Sequence, residues 1–327
     1  MDRAGAGVVR VSPAPAGLPP EVPVLDPDAL YTPTDAADGV TAPVLLHALS
    51  GFIDAGSAGR IAADHLLSTL ENELLASFDP DQLVDYRSRR PVMVYDKDHY
   101  ESYATPLVQL HAVTDLQGQT FLLLTGPEPD LQWEGFVSAV RGLVQRFGVQ
   151  TTIGIHAIPM AVPHTRPIGV LSHGTREGLA PQRQSWVGTV QIPASVAALL
   201  ELRLGEAGHD AMGFVVQVPH YLADAEYPEA AAVLVDNVGE SAGLTLPTGA
   251  LLTSAEQTRL AITEQVAASD EVSRVVQALE QQYDAYVGAR GRTSLMAADD
   301  TGLPSADELG AEVERFLAGN TPDGPTV

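Results

Sequence analysis

The sequence predicts an α/β sandwich with helices on both faces of a mixed sheet, and three observations carry that reading. Val44–Arg60 passes from a short apolar run through Ser-Gly-Phe-Ile-Asp-Ala-Gly-Ser-Ala-Gly into a helical pattern, the strand–turn–helix junction of α/β proteins. Apolar runs such as Phe121-Leu-Leu-Leu and Phe214-Val-Val are continuous rather than alternating, as strands covered on both faces are. The segment 73–114 holds strand-like runs with no helical pattern between them, which predicts an antiparallel excursion and hence a mixed sheet.

In chain order, residues 1–40 hold Pro13, Pro15, Pro19, Pro20, Pro23, Pro27 and Pro33 without helical periodicity. They read as an extended arm or partly disordered leader, with the fold starting near Pro43. An α/β core over 41–252 follows. Its strands are expected at 44–49, 73–78, 91–95, 107–113, 120–125, 151–158, 168–172, 187–192 and 213–218, and its helices at about 57–72, 132–147, 194–207 and 228–242. After Thr253-Ser254, glutamate and glutamine rise, and Val272, Val275, Val276, Leu279, Tyr283, Tyr286 and Val287 recur at helical spacing. This predicts a long helix to about 287 within a C-terminal extension over 253–327. Its single apolar stripe suits packing on the core or on another subunit better than a coiled coil. A linker from Gly288 to Pro304 leads to a last helix at about 305–318, opened by Ser305 with Glu308 as a capping box, and then a loose tail.

Composition narrows the class. The 327 residues are 45% apolar, enough for a large core, and carry a formal charge of −24. Of the 18 basic residues only Lys97 is a lysine, so nucleic acid and anionic membranes are poor partners. With no cysteine, disulfides, thiolate catalysis and cysteine-ligated metals are excluded, and a reducing cytoplasm fits. Residues 1–30 lack an apolar leader core, and no stretch is long enough to span a bilayer as a helix, so a soluble cytoplasmic protein is expected.

Four junctions after expected strands concentrate the polar chemistry. In the first, Gly51 and Gly56 have P-loop spacing, but Ser57-Ala58 stands where Lys-Ser/Thr is required, and Gly56-Ser57-Ala58-Gly59 lacks a dinucleotide fingerprint. Either the backbone N–H groups of Gly51 and Gly56 hold an anion with Arg60, or Asp54 or Ser57 caps the helix and the glycines serve close packing. The second junction, Gly126-Pro-Glu-Pro-Asp-Leu-Gln-Trp133, offers Glu128 or Asp130 as general base or sugar-hydroxyl acceptor. The structural alternative makes Asp130 a helix N-cap and Trp133 a core anchor. In the third, His164 and Arg166 lie in Pro163-His-Thr-Arg-Pro167, where the guanidinium would fork a carboxylate or phosphate. The fourth, Pro219-His220-Tyr221, precedes a helix opened by Tyr227-Pro228. His156, near the third junction, reads as a strand residue and a satisfied core or interface histidine. No histidine pair has helical ligand spacing, no serine sits in a G-x-S-x-G context, and no metal or cofactor is expected. The four loops are expected to meet at one rim.

Taken in order, Gly51-Phe-Ile-Asp-Ala-Gly, Gly126-Pro-Glu-Pro-Asp-Leu-Gln-Trp, Pro163-His-Thr-Arg-Pro and Pro219-His-Tyr-Leu resemble the actinobacterial branch of the proteasome assembly chaperone-like family, the relatives of the second eukaryotic proteasome assembly chaperone. The resemblance covers about residues 40–290. It implies a three-layer α/β/α fold similar to the nucleoside phosphorylase/hydrolase fold, usually in homo-oligomers. Chaperones of this type commonly dock on proteasome α-rings through a hydrophobic-Tyr-any tail; this sequence ends Pro325-Thr326-Val327, so docking by that route is not expected.

The resulting expectation is a non-enzymatic, oligomeric interaction or assembly factor, a homotrimer or at least a dimer, with proteasome-related proteins as candidate partners. The alternative is a small-molecule site of nucleoside or phosphate type at the loop rim, serving a hydrolase or phosphorylase.

Overall fold

The computed structural model describes residues 26–51, 53–181, 189 and 191–295. Its strands are β1 (Tyr31–Pro33), β2 (Val44–Ser50), β3 (Asn72–Phe78), β4 (Met93–Asp96), β5 (His99–Tyr103), β6 (Gln109–Thr114), β7 (Thr120–Pro127), β8 (Thr151–Met160), β9 (Val170–Gly174) and β10 (Asp210–Pro219). The helices are α1 (Ala58–Thr69), α2 (Pro80–Leu83), α3 (Trp133–Arg146), α4 (Val196–Glu206), α5 (Pro228–Ala242), α6 (Gly249–Ala267) and α7 (Asp270–Leu295).

Eight strands form one mixed sheet in the order β1-β3-β6-β7-β2-β8-β10-β9. The central β7, β2, β8 and β10 run parallel, with Leu45 opposite Leu122, Val44 opposite Thr151 and Phe214 opposite Ile155. β6, β3 and β1 extend the sheet antiparallel on one side and β9 closes the other. The segment 73–114 supplies β3 and β6 of the antiparallel side; its one helix, the single turn α2, is too short to cover a sheet face, and the tight connection from β6 to β7 reverses the chain.

The continuous apolar strands are explained by two cores, one on each face. Leu46, Phe121, Leu123, Ile153, Ile155, Phe214 and Val216 meet Ala62, Leu66, Ala231 and Val235 of α1 and α5, with Leu251 and Ile262 of α6 joining them. On the other face Leu45, Leu75, Phe78, Leu122 and Leu124 meet Phe136, Val140 and Leu143 of α3 and Leu200 and Leu204 of α4. The layers are α/β/α.

Several expectations are corrected. The fold takes up the chain from Pro27, not Pro43: Asp26 caps a 3₁₀ turn opened by Pro27, Leu30 is fully buried and β1 pairs with β3. The single helix over 253–287 is two, α6 starting at Gly249 and α7 running to Leu295, with Ala268 and Ser269 between them, so helix replaces the start of the expected linker. Thr189, Gln191 and Ile192 form no strand; the rest of the 187–192 run lies outside the described residues, as does the helix expected at 305–318. The chain divides into two compact units, Met1–Leu279 and Glu280–Val327. Among the described residues no helix is long and apolar enough to cross a membrane.

Candidate functional site

Because β7, β2, β8 and β10 are parallel neighbours, the loops after Ser50, Pro127, Met160 and Pro219 leave one edge of the sheet. The four sequence blocks therefore meet at one rim, and their polar groups are engaged mainly in joining the loops.

In the first loop Asp54 is the capping residue. Its carboxylate accepts the N–H groups of Gly59 at 2.9 Å and Arg60 at 3.0 Å, satisfying two orphan donors of α1. Burial lifts the Asp54 carboxyl above its ordinary range, against the pull of those two N–H groups. Ser57 makes no cap bond and has φ +51°. Gly56, at φ +66°, donates its N–H to Ala223 O at 2.7 Å and accepts from Tyr227 N–H at 2.9 Å. Its N–H is thus occupied by the fourth loop, and a side chain there would press on Tyr227 Cβ at 2.7 Å. Arg60 pairs with Asp64 at 3.1 Å and with Glu226 of the fourth loop at 2.6 Å.

Gly51 has a different task. A Cβ on Gly51 would overlap the carboxylate of Glu128, which is 8% exposed. Glu128 donates its backbone N–H to Ser50 O at 2.9 Å, and its Oε1 accepts the Val196 N–H at 2.6 Å, the first helical donor of α4. First loop, second loop and α4 are tied through this one side chain. Asp130 is not the N-cap of α3: the helix begins at Trp133, with Gln132 at the cap position and φ +56°. Asp130 instead accepts Asp85 N–H at 2.9 Å and pairs with Arg89, which also donates to Glu128 O at 2.5 Å. Trp133 is half-buried against the α3 core and donates its indole N–H to Pro129 O at 2.7 Å.

The third and fourth loops meet at His164 and Tyr221. The Tyr221 hydroxyl lies 2.7 Å from His164 Nδ1 and accepts the His164 backbone N–H at 2.9 Å. His220 stacks edge-on against Tyr221, with ring centroids 5.5 Å apart. Arg166 donates to Thr165 O and Oγ1 at 3.3 and 3.2 Å. His156 lies in β8, half-buried, and its ring makes no hydrogen bond to another described residue. No group of three or more histidine or acidic side chains able to hold a metal is present among the described residues.

Sequence reading missed Arg89, Val196, Ala223, Glu226 and Tyr227 as rim partners. Several of these contacts span long separations, 39 residues for Arg89 to Glu128 and 166 for Arg60 to Glu226, so no local spacing announces them. The one usable signal was Pro228 at the first position of α5, which fixes where Tyr227 stands.

The arrangement defines a three-layer α/β protein whose rim loops are locked to one another by capping carboxylates and backbone bonds. The chain belongs to the PAC2 family, whose model matches residues 48–266. Among solved structures it is similar to a Mycobacterium tuberculosis protein of unknown function, at 44% identity and TM-score 0.79, covering 86% of this chain and 96% of that one. It is also similar to a Corynebacterium glutamicum protein of unknown function, at 40% identity and TM-score 0.76, covering 79% and 98%. A proteasome-assembly chaperone homologue from M. tuberculosis shares the fold at 24% identity and TM-score 0.64, over 71% of this chain and 99% of that one. No curated protein matches the chain.

Proposed function

We propose that this protein is a non-enzymatic, homo-oligomeric assembly factor whose partners are proteasome-related proteins. Membership of the PAC2 family carries the reading. The rim agrees with it: Asp54, Glu128 and Asp130, the carboxylates a small-molecule reaction would need, cap α1, hold the start of α4 and anchor Arg89. Self-association is supported by β4 and β5, a two-stranded ribbon that among the described residues pairs with no other strand. Its residues are exposed on both faces, including Tyr100 at 72%, and Val92 just before it is 70% exposed. A hairpin of this kind is marginal alone in water and presents open strand edges, so a second copy of the chain is the natural cover.

The direct test is affinity capture from a proteasome-bearing actinobacterial lysate, with 20S subunits quantified against an acidic control protein of matched charge. Enrichment of 20S subunits is expected; none over the control removes proteasome-related partners from the reading.

A further inference from the structure

A row of histidines crosses the sheet on the side covered by α4. His47 on β2 lies opposite Gly154 on β8, Gly154 lies opposite Gly213 on β10, and Gly213 lies opposite His173 on β9. Both glycines are required by the rings. A Cβ on Gly154 would stand 2.7 Å from His47 Cε1, and one on Gly213 would overlap the His173 imidazole. The two rings therefore lie over adjacent glycines, one strand spacing, roughly 5 Å, apart. His156 is two residues beyond Gly154 in β8, on the same face by strand alternation.

The row is poorly compensated for charge. His47 is 4% exposed, and its ring, like that of His156, makes no hydrogen bond to another described residue. His173 Nδ1 lies 2.9 Å from Glu201 of α4, the one acid bonded to the row among the described residues. The other charged groups around it have partners elsewhere. Glu128 at the end of β7 holds the α4 N-terminus, Arg203 of α4 pairs with Glu134 and Glu206, and Asp210 at the start of β10 pairs with Arg176. His209, lower on the same side, sits 3.1 Å from Thr152 Oγ1. Burial first, then the neighbouring imidazoles, pushes His47 down to about 4, and burial with His173 does the same to His156.

We propose that the His47–His156–His173 row is an acid-sensitive latch beneath α4: protonation of the row loosens α4 from the sheet while the α1–α5 layer stays closed. Two imidazolium rings side by side repel each other, most strongly at the His47 end of the row, which is buried where His173 is half exposed, and among the described residues only His173 has a carboxylate to meet its charge. α4 is the element that meets the row: Glu201 contacts His173 and Glu128 holds its first N–H, while Val196, Leu200 and Leu204 and the Arg203–Glu134 pair fix its remaining contacts. The opposite layer, packed on the other face by α1 and α5, carries no histidine of the row.

Hydrogen exchange of the full chain at about pH 7.5 and about pH 5, corrected for intrinsic rates, tests the latch. Peptides from 196–206 are expected to lose about tenfold in protection at the lower pH, while those from 58–69 and 228–242 hold theirs; the His47→Gln/His156→Gln chain should keep α4 protected. Equal loss in all three helices, retained α4 protection at low pH, or unchanged loss in the substituted chain overturns the proposal. If that chain does not fold, imidazole NMR titration of the unaltered protein decides: His47 must titrate together with the opening of α4. Titration of His47 without any change at α4 rejects the latch.

Discussion

The glycines of the first loop show how one missing side chain organises a rim. Gly51 leaves the space that Glu128 fills, and Glu128 in turn supplies the first acceptor of α4. Gly51→Ala must displace that buried carboxylate and strand the Val196 N–H, so a loss of about 1–3 kcal/mol is expected. A methyl group added at Gly142 in α3 would meet nothing within 4 Å, so Gly142→Ala should be neutral or stabilising by about 0.5–1 kcal/mol through helix propensity alone. Asp54→Ala removes two capping bonds and should cost about 1 kcal/mol. Urea unfolding midpoints of the three variants check the order. A Gly51→Ala protein as stable as Gly142→Ala would mean that Glu128 does not need the space.

At the level of elements, the β4–β5 ribbon stands out because its apolar content faces water. Tyr95 and Tyr100 pair edge-on with ring centroids 5.1 Å apart, yet are 59% and 72% exposed. The 84–104 segment carries four cations, Arg87, Arg89, Arg90 and Lys97, against four acids, Asp85, Asp96, Asp98 and Glu101, in a chain of charge −24. Two such chains approach with least repulsion where their charge is locally balanced. Light scattering should give a multiple of 34.4 kDa for the unaltered protein and a mass falling towards 34.4 kDa for Tyr95→Asp/Tyr100→Asp, with far-ultraviolet circular dichroism unchanged. A mass of 34.4 kDa for the unaltered protein across a concentration series overturns self-association itself.

For the molecule as a whole, the buried histidines set the acid limit of stability. His47 and His156 fall from 6.5 to about 4 in the folded chain, so between those values the unfolded chain binds protons that the folded one refuses. Their contribution is complete above about pH 6.5, declines as the pH falls, and levels off near 4, with a slope of up to about 1.4 kcal/mol per pH unit for each histidine. Carboxylates held low by ion pairs, Glu134 by Arg203 and Asp210 by Arg176, follow the same rule at lower pH and add their loss only below about pH 4.5. Urea midpoints measured between pH 8 and 4.5 should therefore fall in the unaltered protein and fall distinctly less in His47→Gln/His156→Gln, where of the lowered histidines only His111 and His209 continue to titrate. A flat profile in the unaltered protein would contradict the burial of these rings.

Local sequence was enough for the class of fold, the central strands and four sandwich helices, the cap role open to Asp54, and the gathering of four loops at one rim. Apolar periodicity reports burial, and turn residues report where the chain reverses, so each of these can be read within a short window. A further signal of the same local kind is Gly154 and Gly213 inside continuous strands, where a missing side chain marks a close approach. Folding was needed to decide that Asp130 binds Arg89 rather than capping α3, that Gly51 serves Glu128, and that His47 and His173, from opposite halves of the chain, lie across two glycines from each other. Each of these depends on strand order and register, which bring together residues far apart in the chain; no window of sequence contains both partners.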